Sequence, residues 1–341
     1  MSKTATAVQP VTDANLWSEY AIEAHSSLTD QPLRSLKHGD AFAVVNGFGD
    51  IEPLQDSAQG LFYCDTRFLS QFEMRLEGKK PLLLGSAMHD NKSALTVELT
   101  NPDVLLGKDD KLPKDTIFLT RTTILRDGAS YERIGIRNFG SAKRRLRLDF
   151  LYAADFHDLF EIRGTRRHRR GTLSSNVIDS KAVRFKYRGL DKIERTTLIQ
   201  FDPRPVRLAS DRAMVEVEIV AHGQTSIFIT VLCLESNAQE ATQIADYFRA
   251  YRETRRERRQ LTRRIATLAT SNEAFEEVVS RATSDVYTLV TATPHGLYPY
   301  AGIPWFNTVF GRDGIITAML MLWMDPSLAQ GVLLTLAATQ A

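Results

Sequence analysis

From about Ser35 to Glu235, apolar and polar residues alternate in one short stretch after another. Side chains on a strand point to opposite faces in turn, so a period of two marks a strand with one wet face. The strand candidates are residues 42–45, 68–76, 82–84, 95–99, 117–125, 131–138, 145–150, 215–220 and 226–231, and most of them alternate in this way. Turn-forming residues separate them at 47–50, 77–80, 126–128, 138–141 and 222–223. Short strands at this spacing predict an antiparallel β-sandwich rather than parallel βαβ units.

Past Asn237 the texture changes. Residues 241–267 hold no glycine or proline, and eight arginines fall between Arg249 and Arg264. This predicts a long solvated connecting helix, with Glu253 and Glu257 supplying ion pairs one turn apart. Thr270, Ser271, Asn272 and Glu273 read as a capping box. Phe275, Val278, Val279, Ala282, Val286 and Leu289 then form one apolar helical face, ended by Pro294, His295 and Gly296. A second helix is expected from about Asp313 to Trp323, and a third from Asp325 and Pro326 to the final Ala341. The fold class is therefore β plus α, multidomain: a loose arm over 1–30, a sandwich over 31–236, a basic connecting helix over 237–270 and the opening of a helical domain over 271–341.

The charge balance, 43 basic against 41 acidic residues, gives +2 and no globally basic surface for nucleic acid. A run of arginines without interleaved aromatics is a solvated face before it is a nucleic-acid helix. Cys64 and Cys233 give neither a disulfide framework nor a zinc spacing, and two reduced thiols in a cytoplasmic protein are expected, with a single buried disulfide as the alternative. The N-terminus lacks a basic region followed by an apolar core, and no apolar run is long enough for a membrane span. No phosphate loop, metal spacing or Ser/His/Asp set is present, so neither cofactor nor metal is expected.

The chemistry concentrates in residues 302–313, Gly-Ile-Pro-Trp-Phe-Asn-Thr-Val-Phe-Gly-Arg-Asp. Aromatic faces cover the apolar face of a sugar ring, and a fixed ion pair between Arg312 and Asp313 donates to and accepts from hydroxyls. Gly311 and Gly314 flank that pair and leave the backbone bare for a ligand to approach. The competing reading makes Asp313 a helix N-cap and Trp305, Phe306 and Phe310 a lid over a core. Elsewhere, Asp325 reads as an N-cap, Glu273, Glu276 and Glu277 as a first-turn acidic cluster, and His295 as a lone loop histidine. Asp285 has no partner acid. Asp65, Thr66 and Arg67 read as an internal hydrogen-bonded turn, and Asp155, Asp158 and Arg163 as a polar network or a domain contact. Arg166, Arg167, Arg169 and Arg170 read as a solvated basic loop around His168, with anion binding as the alternative.

Pro304, Trp305 and Phe306, followed by Phe310, Gly311, Arg312 and Asp313 and an isoleucine-rich helix, resemble the start of the catalytic domain in bacterial glycogen-debranching-type enzymes. These are amylo-α-1,6-glucosidases, relatives of the glucoamylases. Residues 60–69, Gly-Leu-Phe-Tyr-Cys-Asp-Thr-Arg-Phe-Leu, and 154–164, Ala-Asp-Phe-His-Asp-Leu-Phe-Glu-Ile-Arg-Gly, are similar to the N-terminal domain of the same proteins. The resemblance implies a helical domain that is an incomplete (α/α) six-hairpin toroid, a chain apparently truncated, and hydrolysis of α-1,6-glucosidic bonds in glycogen or branched dextrin. It makes Arg312, Asp313, Trp305 and Phe306 substrate-binding residues and not the proton-transfer pair. Hydrolysis with inversion needs two carboxyl groups roughly 6.5–9.5 Å apart. The family's pair is expected beyond Ala341, so this chain is expected to be inactive alone. Its uncovered apolar helices would then favour self-association or wait for a missing C-terminal part. The expected partner is an α-glucan, with no nucleic acid and no membrane. A non-catalytic carbohydrate-binding or domain-docking sandwich is the alternative.

Overall fold

The computed structural model describes residues 33–54, 57–89, 92–106, 110–235 and 246–340. The expected arm over 1–30 and the first part of the connecting segment, 237–245, lie outside them. Strands come first: β1 (Arg34–His38), β2 (Ala41–Val45), β3 (Gly60–Tyr63), β4 (Thr66–Leu69), β5 (Gln71–Leu76), β6 (Leu82–His89) and β7 (Ala94–Thr100). The short pair β8 (Val104–Leu105) and β9 (Lys111–Leu112) precedes β10 (Ile117–Arg126), β11 (Ala129–Asn138) and β12 (Arg144–Ala153). One helical turn, α1 (Leu159–Ile162), leads to β13 (Thr172–Val177), β14 (Ala182–Arg188), β15 (Glu194–Asp202), β16 (Arg207–Leu208), β17 (Arg212–Ile219) and β18 (Gln224–Glu235). The rest is α2 (Tyr247–Thr262), α3 (Glu273–Leu289), the hairpin β19 (Val290–Thr293) and β20 (Gly296–Pro299), α4 (Gly311–Met321) and α5 (Pro326–Ala338).

The strands form a mainly antiparallel β architecture. An eight-stranded sheet runs β13-β14-β15-β18-β11-β10-β7-β6, and a four-stranded sheet runs β16-β17-β12-β5. Their inner faces share one core, with Leu146, Leu148, Phe150 and Val215 meeting Leu119, Ile134, Ile199 and Ile229. Inward apolar residues alternate with half-buried or exposed ones, as β12 and β17 show, so burial fixes the register. The β10–β11 hairpin closes on Asp127 and Gly128, both with positive φ, the two-residue turn whose twist matches paired strands. A third sheet, β1-β2-β3-β4, packs through Phe42, Val44 and Phe62 against α1 and against Ile303 and Trp305.

Several expectations are corrected. The run 68–76 is two strands, because the chain leaves one sheet at Ser70 and enters another. The alternation of Val183, Phe185 and Tyr187 marks a strand the sequence reading passed over, as does the exposed, Ser- and Thr-rich β13. Helix α2 is not solvated all round. Tyr247 and Ala250 pack on Ile124, Tyr131 and Leu232 of the eight-stranded sheet, while Glu253 and Glu257 reach Arg126 at 3.3 and 3.0 Å. The expected pair one turn apart, Arg249 with Glu253, is present at 3.0 Å. Helix α3 ends at Leu289, and Pro294 and His295 form the turn of the β19–β20 hairpin instead of a helix stop. Phe275 and Val278, expected on the buried face of α3, are exposed.

Helices α4 and α5 pack against β20 through Ala318, Val332 and Tyr298. Their outer faces stay apolar and exposed at Ile316, Met319, Leu320, Leu333 and Leu334, as does Trp323 in the turn between them. Among the described residues no helix is long and apolar enough to cross a membrane.

Candidate functional site

Three segments distant in sequence meet at one place: the β3–β4 hairpin, the α1 loop and the 302–313 stretch. The hairpin turns on Cys64 and Asp65, both at positive φ. Thr66 bridges to Asp158, and the Leu159 N–H donates to the Asp65 carbonyl at 3.2 Å. Behind the turn, the Arg67 guanidinium is held at both ends by Asp155, at 3.2 and 2.5 Å, and donates to the carbonyls of Ser57 and Gln59. Gly60 is required there, since a Cβ would lie 2.6 Å from Arg67 Cδ. Thus Asp65, Thr66 and Arg67 build a turn, and Asp155 ties it to the α1 loop.

Asp158 caps α1 reciprocally with Glu161, leaving Leu159 and Ile162 to face inward. These two pack with Phe42, Val44 and Phe62, and Trp305 and Ile303 close the cluster. Gly302 and Phe306 exchange two backbone hydrogen bonds, at 3.1 and 2.8 Å, so the aromatics sit on a pinned loop. The Arg163 guanidinium lies over both rings, 5.4 Å from the Trp305 centroid and 5.5 Å from Phe306. Phe306 is 40% exposed and meets the Phe310 ring edge-on at 5.5 Å. An exposed aromatic beside a half-buried indole and a guanidinium is a surface a polyhydroxylated ring can rest on.

Polar contacts complete the junction. The Tyr300 hydroxyl donates to Asp40 at 2.9 Å, and the Asn307 amide donates to the Asp40 carbonyl at 3.3 Å. Lys37, 3% exposed, donates to Thr291 Oγ1 and to the Gly39 carbonyl, each at 2.7 Å, and lies over the Tyr300 ring. Burial pulls the Lys37 amine down to about 8, with Asp40 opposing and Arg258 adding to the shift. Burial, Asp40 and Glu235 push the Cys64 thiol up to about 11. Burial first, and then Asp40, raises the Asp65 carboxyl. Cys64 and Cys233 are both free. No group of three or more His, Cys, Asp or Glu that could hold a metal occurs among the described residues.

Arg312 and Asp313 lie in the first turn of α4, whose N-cap is Phe310; Asp313 is not the cap. Arg312 is exposed and Asp313 half-buried. The expected fixed ion pair between them is absent among the described residues. Adjacent residues on a helix point about 100° apart, which works against such a pair. Gly314 has a packing reason to be bare: a Cβ there would sit 2.2 Å from the Tyr298 hydroxyl. That hydroxyl donates to the Phe310 carbonyl at 2.8 Å and fixes the start of α4. Asp285 pairs with Lys92, Asp325 caps α5 and accepts from Tyr287 at 2.5 Å, and His295 is exposed in its turn. In the basic loop, Arg167 and Arg170 fold back onto Asp158 and Glu161. The sequence reading missed Lys37, Asp40, Tyr300 and Asn307, whose partners lie over 250 residues away along the chain.

Residues 36–230 match the model of the N-terminal domain of some glycogen debranching enzymes. The chain belongs to this family. The matched glycogen-debranching-enzyme N-terminal domain covers the sandwich and the hairpin and α1 sides of the junction. No curated protein sequence matches the chain. Among solved structures, it is similar to a protein from the human microbiome described as a kojibiose phosphorylase, at 10% identity and a TM-score of 0.59. That likeness covers 88% of this chain and 45% of the other, so the chain spans less than half of that relative's length. It shows shared fold, and it takes in more than the debranching-enzyme domain alone. Weaker likenesses are to a bacterial glucoamylase complexed with acarbose, at 9% identity, TM-score 0.45, over 88% of this chain and 52% of that one. A protein from Escherichia coli K12 described as an aldose 1-epimerase matches at 7% identity, TM-score 0.36, over 60% and 99%.

Proposed function

We propose that this chain serves a glycoside hydrolase of the glycogen-debranching type, acting on α-1,6-glucosidic bonds of glycogen-like glucans in the cytoplasm. In this reading residues 31–236 are the sandwich, 237–270 the connector and 271–341 the opening hairpins of an α/α toroid. Trp305 and Phe306 bear the face of a glucose ring, and Arg312 and Asp313 take its hydroxyls from the start of α4. The observation that carries the reading is the junction itself: the debranching-enzyme domain delivers Arg163 onto the two aromatic rings that follow it in the helical part. The exposed apolar faces of α4 and α5 suit the further helices of a toroid, or a second copy. No acid and base pair is assigned, because Asp285 and Asp325 are committed to Lys92 and to a helix cap.

Binding of isomaltose and of glycogen to the purified chain tests this. Trp305→Ala is expected to weaken both by about tenfold or more, the scale of one stacking anchor. Failure of the wild-type chain to bind either glucan would overturn the assignment. Release of glucose from a branched dextrin by the chain alone would show that an acid and base pair lies within it.

A further inference from the structure

Asp158, which caps α1, and Glu161 within it also line a cleft of about 180 Å³, together with Thr66, Arg167, Arg169 and Arg170, and Asp191 and Arg195 contribute to its wall. Its charges are largely matched within its own walls. Arg167 pairs with Asp158, Arg170 with Glu161 at 3.3 Å, and Arg195 with Asp191 at 3.0 Å. Only Arg169 has no partner among the described residues. A wall of matched guanidinium and carboxylate groups has many spare donors and acceptors but little net field. That combination suits a neutral polyol better than an anion.

On α1, Phe160 stands in sequence between Leu159, which packs in the Trp305 cluster, and Glu161, which lines the cleft. Its ring is 63% exposed, on a helix of a single turn, with no packing role to account for it. Leu159 and Ile162 already supply the apolar contacts that seat the turn. An exposed ring with no packing partner makes a stacking platform.

We propose that the Arg167–Arg169–Arg170 cleft is a second saccharide subsite, reached from Trp305 and Phe306 across the Phe160 ring. Its ligand is a neutral α-linked glucan long enough to cross α1, a helix about 10 Å wide. The inference rests on the glucan reading of the Trp305 loop and extends it, since the cleft distinguishes a long branch from a short one.

Binding of isomaltose, glycogen and glucose 1-phosphate to the full chain, wild type and as Phe160→Ala, Arg169→Ala and Asp191→Asn, tests it. All three positions are exposed, and matching thermal melts confirm an intact fold. Each variant is expected to weaken glycogen about fivefold, the loss of one stacking or hydrogen-bond contact, and to leave isomaltose unchanged. Unchanged glycogen affinity in all three variants overturns the second subsite while leaving the Trp305 site standing. Equal losses for isomaltose and glycogen overturn it as well, because they place both ligands on one surface. Tighter binding of glucose 1-phosphate than of isomaltose, abolished by Arg169→Ala, replaces the neutral ligand by an anion. If the wild-type chain binds no glucan at all, the underlying reading fails first.

Discussion

Arg67 and Asp155, 88 residues apart, form a two-pronged ion pair that locks the β3–β4 hairpin to the α1 loop. Both are partly buried, with side chains 12% and 23% exposed. Arg67→Ala leaves Asp155 without its guanidinium and the Ser57 and Gln59 carbonyls without a donor. The expected loss is about 2–3 kcal/mol of unfolding free energy, below the range for fully buried pairs. Urea unfolding measures it. A loss under 0.5 kcal/mol would show that the hairpin and the loop are held by packing alone.

Arg121 is the deeper tie. It is 2% exposed, donates to Asp50 and Glu132 at 2.5 Å each, and also donates to the carbonyls of Phe48 and Gly49. Arg121→Met strands two buried carboxyl groups, and burial already raises that of Asp50. Destabilisation of about 3–5 kcal/mol is expected. The triple variant Arg121→Met, Asp50→Asn, Glu132→Gln should recover part of it. No recovery would mean that the backbone carbonyls, and not the carboxylates, depend on Arg121.

Lys37 predicts an alkaline gain. Its folded value, about 8, lies below the free value of 10.5, so between these limits the unfolded chain holds a proton that the folded chain has lost. Stability contributed by this group therefore rises with pH from about 8 to 10.5. The bound is about 3 kcal/mol at 1.36 kcal/mol per pH unit. Other groups titrate in the same window, including Cys64, so the quantity to measure is wild type minus Lys37→Met in urea at pH 7.5 and 10. Parallel pH profiles for the two proteins would refute the assignment.

Much of the sandwich was legible because its signals are local. Period-two stretches and an Asp127-Gly128 turn need only neighbours in sequence. The break at Ser70 was hidden because alternation continues across it while the chain changes sheets. The β19–β20 hairpin was hidden because proline and glycine mark a helix stop and a turn equally well. At the candidate site, Trp305 and Phe306 could be picked out by residue type. Arg163 above them, and Asp40 beneath Tyr300, depend on pairings that only the folded topology creates. The packing of Gly314 against Tyr298 was hidden because a bare backbone looks the same in sequence whether it serves a ligand or a neighbouring tyrosine.

Cys64 combines surface position with a suppressed thiolate. With the thiol near 11 rather than 9.0, roughly a hundredfold less thiolate is present at pH 8, and the thiolate is the nucleophile. Iodoacetamide should label the chain slowly at pH 8, with a rate that still climbs beyond pH 10. A rate that levels off near pH 9 would show that burial, Asp40 and Glu235 do not act on this thiol as described.

The two glycines flanking Arg312 and Asp313 give opposite expectations. At Gly311 a Cβ would meet only Leu336 Cδ2 at 3.7 Å, an ordinary contact, in the first turn of α4. Gly311→Ala should leave stability unchanged or raise it by about 0.5–1 kcal/mol through the helix and unfolded-chain terms. At Gly314 the added Cβ runs into Tyr298, at 2.2 Å from its hydroxyl and 2.6 Å from Cζ. Gly314→Ala should cost about 1–3 kcal/mol by overpacking, and it should break the hydrogen bond that fixes Phe310. Tyr298→Phe in the same chain removes the nearer clash but not the farther one, so only partial rescue is expected. If α4 turns on Tyr298, Gly314→Ala also moves Arg312 and Asp313, and isomaltose binding falls with stability. If instead Gly314→Ala melts with the wild type and loses only glucan binding, the bare backbone serves the ligand after all, and the packing account of Gly314 is wrong.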